Sequence, residues 1–432
     1  MSILTSMYNG ASGLTAHSQG LSVIGDNIAN VNTVGFKASR STFHDVLGMA
    51  IYSGSQAPGQ VGLGVRFGGI DQVFTQGPLS ATGRATDVAL EGGGFFVVSG
   101  RFNGVEGQFY TRSGQFRVDA DGYLVDPNGL QVIGYAADAT GRIGSSLGPL
   151  MVAGQTLPAR ASTQVKVFAA LDSRATPPPA WNVNQADQTS NFSTSLPVYD
   201  SLGNAHTVRI YFRNTGINGT WEWHAVVDGG SLQGGVPGTP VDVAHGTLVF
   251  SNTGALSRVT TAANTFHFRG AVPGQVVAFD FGDAMADGGT GMRGSTARAQ
   301  DFAMVQLDQD GYAAGTFSQV SIASDGVLTA SFSNGQRRPI GRLAIASFHA
   351  PSGLRREGGT LWSATRESGE PLIGTAGTGS RGEVVAGALE QSNVDMAEQF
   401  VQMIALQRGF QASSRIIQTS DENYVTLVQL KR

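Results

Sequence analysis

Apolar residues recur at seven-residue steps at both ends of this chain, and the middle follows a different rule. Near the start they fall at Met7, Leu14, Leu21 and Ile28; near the finish they fall at Met396, Met403, Phe410, Ile417 and Tyr424. A seven-residue apolar step predicts helices that pack along a seam against other helices. The first helix is expected over residues 1 to about 30. It should stop in Asp26-Asn27-Ile28-Ala29-Asn30-Val31-Asn32-Thr33-Val34-Gly35-Phe36-Lys37, where repeated Asn and then Gly is stop-and-turn chemistry. Small residues between the stripe positions, Ala11, Ser18 and Gly25, are expected to let a partner helix approach closely. The last helix is expected to open at Asp395, with Ser392 or Asn393 as candidate N-caps.

Between the helices the pattern reads as strands. Residues 38–84 look like a connector, with a short helix-like piece from Thr42 to Leu47, a Gly/Ser/Pro stretch at 53–60, and the alternating run GLGVRFGGIDQVF. From 85 to 154, short apolar runs such as Gly94–Val98, Gln108–Arg112 and Leu130–Tyr135 are separated by Asp119-Ala120-Asp121-Gly122 and Asp126-Pro127-Asn128-Gly129. Short strands with Asp/Asn-Gly turns predict hairpins in a sandwich or barrel. A second set of strands fills 155–287, and 288–393 returns to the style of the first. The expected architecture is mainly β with α-helical termini. The terminal helices (1–32 and 394–432) pair in a coiled-coil-like core, and connectors occupy 33–84 and 366–393. A discontinuous β domain (85–154 and 288–365) holds an inserted outer β domain (155–287). Sticky helices bracketing a β body suit a subunit that polymerises through its ends.

Composition narrows the chemistry. Charged residues make up 14% and the net charge is -4, so no basic excess exists to neutralise nucleic-acid phosphates. Sixty Gly residues fit many tight turns. The absence of Cys excludes disulfides, thiolate metal sites and cysteine nucleophiles. No run approaches the roughly 18 apolar residues of a membrane span. The first 20 residues lack the basic and continuous apolar regions of a secretory signal, so export would follow a route that keeps the N-terminus.

Motif searches give no catalytic, cofactor or metal site. Gly377-Thr378-Gly379-Ser380-Arg381-Gly382 fits GxGxxG but lacks a βαβ setting, and reads as a connector. Asp308-Gln309-Asp310-Gly311 and Asp119-Ala120-Asp121-Gly122 do not continue as calcium loops and read as hairpin turns. The seven His (17, 44, 206, 224, 245, 267 and 349) show no HExxH or paired ligand spacing, so no metal site is expected. His206 and His224 are candidates to face each other across strands, in a surface hydrogen-bonding role. Trp221 and Trp223 alternate around Glu222 and should share a core-facing side.

Two further patterns carry a resemblance. One is Asn27-Ile28-Ala29-Asn30, Thr33 and Gly35-Phe36-Lys37. The other is Gly387-Ala388-Leu389-Glu390, Ser392-Asn393-Val394-Asp395, Met403-Ile404, Gln407-Arg408, Phe410, Ile417, Thr419 and Asp421. Together they resemble the terminal signatures of the bacterial flagellar axial family of rod and hook subunits. Val198–His206 and Gly311–Gln336 are similar to internal segments of its hook branch. Phe410 stands where relatives often have Tyr, and the connector at 48–60 is longer than in many hook subunits.

The resemblance implies a structural protein: a tubular helical homopolymer outside the cell, serving as a flexible joint between motor and filament. It implies Met7, Leu14, Leu21, Ile28, Met396, Met403, Phe410, Ile417 and Tyr424 as polymer core. Asn27, Asn30, Gly35, Phe36 and Lys37 would set the turn out of the first helix. The implied partners are further copies of the chain, the distal rod, hook cap and hook–filament junction proteins, and the flagellar export apparatus. No nucleic acid, membrane insertion or cofactor is implied. The terminal helices are expected to order on assembly. Two alternatives stay open on the sequence: a distal rod-like subunit, and a secreted β-rich adhesin or carbohydrate-binding enzyme whose terminal helices dock intramolecularly.

Overall fold

In the computed structural model the described residues are 3–46, 49–51, 59–154 and 156–430. The chain divides into two compact units, one made of Met1–Gly154, Ser318–Ser331 and Arg337–Arg432, the other of Gln155–Phe317 and Phe332–Gln336.

The first unit contains both long helices, α1 (Ile3–Ala29) and α2 (Met396–Leu430). They run antiparallel: Asn27 bonds Gln399, Gly20 lies against Leu406, Gly13 against Ser413 and Gly10 against Ile417. A hairpin of Ser39–Asp45 and Val65–Gln72 lies along α1, with Phe43 beside Gly20 and the Val65 amide donating to Ser12 Oγ at 3.3 Å. The helix-like piece expected from Thr42 to Leu47 is therefore strand as far as Asp45. Its polar and β-branched residues pair with the alternating run opposite, and that tertiary pairing overrides a weak local propensity. Leu47, Gly48 and residues 52–58 of the long connector lie outside the described residues.

The body of this unit is antiparallel sheet. Phe95–Phe102 forms a hairpin with Val105–Thr111 and also pairs with Gln131–Ala137 and Ile345–Ser347. Their inward faces make a core of Phe95, Val97, Tyr110, Ile133, Ala346, Phe348 and Trp362. Early and late segments thus share one sheet. The late chain re-enters again when Glu383–Ala386 pairs with Val88–Glu91 and Ala388–Glu390 pairs with Leu79–Ala81.

The second unit is a sandwich. Its larger sheet is a six-stranded antiparallel meander from Phe192–Tyr199 to Gln275–Val276. The smaller is centred on Gln164–Asp172, flanked by Ala278–Asp280, Thr296–Arg298 and Ala303–Gln309. The two inner faces meet over Val165, Val167, Ile210, Phe212, Leu248 and Phe281, with Trp221 and Trp223 both fully buried among them. Among the described residues no sheet closes into a barrel.

Residues 288–317 belong here rather than to the discontinuous domain. Thr296–Arg298 and Ala303–Gln309 pair with Gln164–Asp172, a long-range register that their sequence style does not reveal. Asp310 makes no simple hairpin turn either. Its carboxylate accepts the Thr163 and Gln164 amides at 2.7 and 2.9 Å and fastens the start of the central strand. His206 and His224 do not face each other, because His206 pairs with Val198 and His224 with Tyr211 and His245.

Candidate polymerisation surface and its buried anchor

The helix pair has two unlike faces. Toward each other the helices present small and polar residues together with a few larger apolar ones, Val23 and Ile24 on α1 and Leu406 and Ile417 on α2. On α1 the buried row is Gly10, Gly13, Ala16, Gly20, Val23, Ile24 and Asn27; on α2 it includes Gln399, Ser413 and Ser420. A β-carbon on Gly13 would come within 2.7 Å of Ser413 Oγ, and one on Gly10 within 2.8 Å of Ile417 Cγ1, so the axes approach as closely as glycine allows. The close-approach residues are these glycines, and not Ala11, Ser18 and Gly25. Ala11 and Ser18 are exposed, and a β-carbon on Gly25 would meet nothing within 4 Å.

Met7, Leu14, Leu21 and Ile28 flank this seam, each half-buried, as do Met403, Phe410 and Ile417 on α2. Met396 and Tyr424 lie further out, Tyr424 with 53% of its surface exposed. Within this chain, then, the stripe residues mostly border the seam, while Ile417 packs against Gly10 within it. Outward the pair shows apolar groups to solvent: Leu4, Tyr8, Phe400, Val401, Ile404 and Ile416. On the observed register α1 begins opposite about residue 423. The last turns of α2, with Val425, Leu427, Val428 and Leu430 exposed, therefore have no partner helix among the described residues. By the same register Leu4, Tyr8 and Ile416 lie toward one end of the pair and Phe400, Val401 and Ile404 toward the other, so apolar side chains are exposed at both ends.

The turn leaving α1 is held by buried polar side chains. Asn27, 1% exposed, donates from Nδ2 to Ser39 O at 2.7 Å and Gln399 Oε1 at 2.9 Å, while its Oδ1 accepts the Ser39 amide at 2.8 Å. Asn30 Nδ2 donates back to Asp26 O at 2.8 Å, closing the helix end. Gly35 has a left-handed φ of 70°, and a β-carbon there would sit 2.5 Å from the Ser113 nitrogen; both facts require glycine. The Gly35 amide donates to Glu390 O at 2.7 Å. Phe36 is buried under the Arg356 guanidinium, 4.8 Å from its ring centre, and Arg356 in turn bonds Asp26 at 2.7 Å.

Lys37 ends the turn in a fully buried ion cluster. Its Nζ donates to Glu390 Oε1 at 2.6 Å and to Thr75 O at 2.6 Å. Arg112 NH1 donates to Glu390 Oε2 at 3.2 Å and its NH2 to Gly92 O at 2.8 Å, while the Gly77 amide completes the shell of Glu390 Oε1 at 2.9 Å. Burial pushes the Lys37 ammonium below its usual range, Glu390 opposes that push, and Arg112 adds to it. Burial likewise lowers Arg112 against the pull of Glu390. Two cations and one carboxylate from three distant stretches thus fix where both helices leave the β body.

Beside the cluster, Asn393 accepts the Ala38 amide at 2.8 Å and donates to Val73 O at 2.9 Å. It is not the N-cap of α2, and neither is Ser392. Asp395 caps the helix, accepting the amides of Ala397 and Glu398 at 2.8 and 3.2 Å. Glu390 and Asn393 lie inside the tail motif read from the sequence, but Arg112 carries no local signal. Gln399, Leu406, Ser413 and Ser420 repeat every seven residues themselves, yet a search for apolar periodicity passes over a row that is mostly polar.

Comparison with known proteins places this geometry. Family models match in four stretches: "Flagella basal body rod protein" over residues 7–37, "Flagellar hook protein FlgE/F/G D1 domain" over 89–167, "Flagellar basal body protein FlaE D2 domain" over 170–312 and "Flagellar basal body rod FlgEFG protein C-terminal" over 385–430. The flagellar hook protein FlgE of Treponema pallidum is 38% identical, with 100% of each chain covered. The chain belongs to the flagellar hook protein family. Hook protein FlgE of Salmonella typhimurium is 34% identical over 97% of this chain and 98% of its own. A crystal structure of Helicobacter pylori hook protein FlgE2 shares the fold, with a TM-score of 0.50 at 18% identity over 72% of this chain and 100% of that one. The two anchoring segments of the hook-family chain described above, 27–37 and 388–395, lie within or at the edge of the rod-type terminal matches. No described helix is long and apolar enough to cross a membrane.

Proposed function

We propose that the chain is the structural subunit of a flagellar hook, assembling with copies of itself into an external tube that joins the motor to the filament. The observation that carries this reading is the set of exposed apolar side chains on α1 and α2, together with the last turns of α2, which have no partner helix among the described residues. A contact between unlike patches of identical subunits repeats without closing and builds a helical filament. In this reading Met7, Leu14, Leu21, Ile28, Met396, Met403, Phe410, Ile417 and Tyr424 become fully covered when neighbouring helix pairs pack, and the β units face outward. The nearly uncharged α1, whose one acidic residue is Asp26, favours dense packing in the inner shell. Distal rod, hook cap and junction proteins would meet the two ends of the tube, and the export apparatus would deliver the chain. The role is mechanical and uses no catalytic site.

The test is electron microscopy of the full-length protein beside a 33–393 truncation, with and without a hook cap protein. Tubes from the full-length protein alone support the reading. Dispersed particles from both, even with the cap, overturn it and leave the helices as an intramolecular dock.

A further inference from the structure

Sequence spacing gives no metal motif, but the larger sheet of the second unit brings three ligand-type side chains together. His224 and His245 are direct cross-strand neighbours on Thr220–Asp228 and Pro240–Phe250. Asp242 is three residues before His245, which on a regular strand would put it on the opposite face. A bulge prevents that: Ala225 pairs with Ala244 and Val226 with Asp242, leaving Val243 unpaired, and Asp242 turns to the side carrying both imidazoles. One donor atom from each of the three lies within 4.8 Å of the others.

The cluster leaves lone pairs unused. His224 is 8% exposed, and its Nδ1 bonds Asp242 Oδ2 at 2.7 Å while its Nε2 has no hydrogen-bond partner. Asp242 Oδ1 and His245 Nδ1 are likewise buried without a partner, 3.8 Å apart. Buried polar atoms without partners are uncommon in folded proteins, and three in one place point to a missing occupant. The surroundings are those of a supported ligand set. Trp181 stacks on the His224 ring at 4.0 Å, shielding it, and donates from Nε1 to Asp242 Oδ2 at 3.1 Å, holding the carboxylate from behind. Glu222 Oε2, 3.9 Å from His224 Nε2, adds negative charge while paired to Arg213. His245 has 44% of its side chain exposed, which gives an ion a way in.

We propose that His224, Asp242 and His245 form a binding site for a divalent cation of the zinc type, with water in the remaining position. Two imidazoles and a carboxylate suit a borderline cation such as zinc and leave calcium, which takes six to eight oxygens, poorly served. In a tetrahedral set with metal–ligand bonds of about 2.0–2.2 Å the donor atoms stand roughly 3.3–3.6 Å apart, so separations of up to 4.8 Å close by as much as about 1.4 Å through side-chain rotation. The bound ion would clamp two neighbouring strands of the larger sheet, binding the folded unit only and so raising its melting temperature.

The test is zinc titration of the metal-stripped full-length protein by calorimetry and thermal melting. We expect one equivalent bound and a melting temperature that rises with zinc and falls back with EDTA. His245→Ala, at a half-exposed position, should keep the fold and weaken zinc binding by at least ten-fold, by analogy with losses of about 10–100-fold for outer-shell changes. His349→Ala, at an exposed histidine outside the cluster, should leave binding unchanged. Should His245→Ala fail to fold, His245→Gln makes the same test. Absence of a binding heat, or binding equal in the wild type and the His245 variant, overturns the proposal and leaves the cluster a hydrogen-bonded network under Trp181.

Discussion

The buried ion cluster makes a prediction with opposite outcomes for its two partners. Glu390 faces two cations, and all three side chains are at least 96% buried. Glu390→Gln keeps the shape but leaves Lys37 and Arg112 buried with no carboxylate between them. Removing one partner of a buried ion pair costs about 3–5 kcal/mol. Lys37→Met keeps most of the buried stem and removes the cation whose burial is already unfavourable, as the lowered Lys37 pKa records. Glu390 then keeps Arg112 and the Gly77 amide, and Thr75 O keeps the Asn393 side chain at 3.2 Å. The expected loss is about 1–2 kcal/mol, the scale of one hydrogen bond. Hydrogen exchange at the Gly35 and Leu389 amides of the full-length protein reads this locally. Glu390→Gln should accelerate exchange by roughly two to three orders of magnitude, at a factor of ten per 1.4 kcal/mol, and Lys37→Met by about ten-fold. Equal acceleration in both, or a larger effect from Lys37→Met, would refute the claim that Glu390 organises the cluster.

Three other outcomes follow from the same geometry. Gly35→Ala should lower stability by about 2–5 kcal/mol, from left-handed strain plus the collision with Ser113, visible as a lower melting temperature. Val401→Glu, at a position 68% exposed in the single chain, should leave the melting temperature unchanged and abolish tube formation in electron micrographs; normal tubes would remove this part of the helix pair from the polymer contact. Asp200 is pushed up by burial but pulled further down by His206, Asn204 and two backbone amides, so its pKa lies below the ordinary 3.8. With the folded pKa below the unfolded one, its stabilisation is present above about pH 4 and disappears as pH falls through the depressed value. Asp200→Asn should therefore flatten the acid limb of the second unit's unfolding profile followed by its tryptophans.

The sequence by itself determined most of the element types, though not the strand Ser39–Asp45, part of which reads locally as helix. Helical ends, a β-rich middle and turns at Gly122 and Gly129 follow from local rules: side-chain period, turn residues and the freedom of glycine at positive φ, which both of these glycines use. Asn27, Asn30, Gly35, Phe36 and Lys37 stand out in the sequence too, because they sit together in one short motif. Tertiary structure alone decided which partners those residues meet. Glu390 and Arg112 are 353 and 75 positions from Lys37, and nothing local encodes that distance. It decided that the close seam between α1 and α2 is lined by Gly10, Gly13, Gly20 and Ser413, because backbone approach favours the smallest residues while a search for apolar periodicity weighs the largest. It placed 296–309 beside 164–172, and it turned Asp242 toward two histidines through one bulge. Period and propensity are properties of neighbours along the chain, whereas seams, ion clusters and cross-strand sites depend on which distant backbones come to lie side by side.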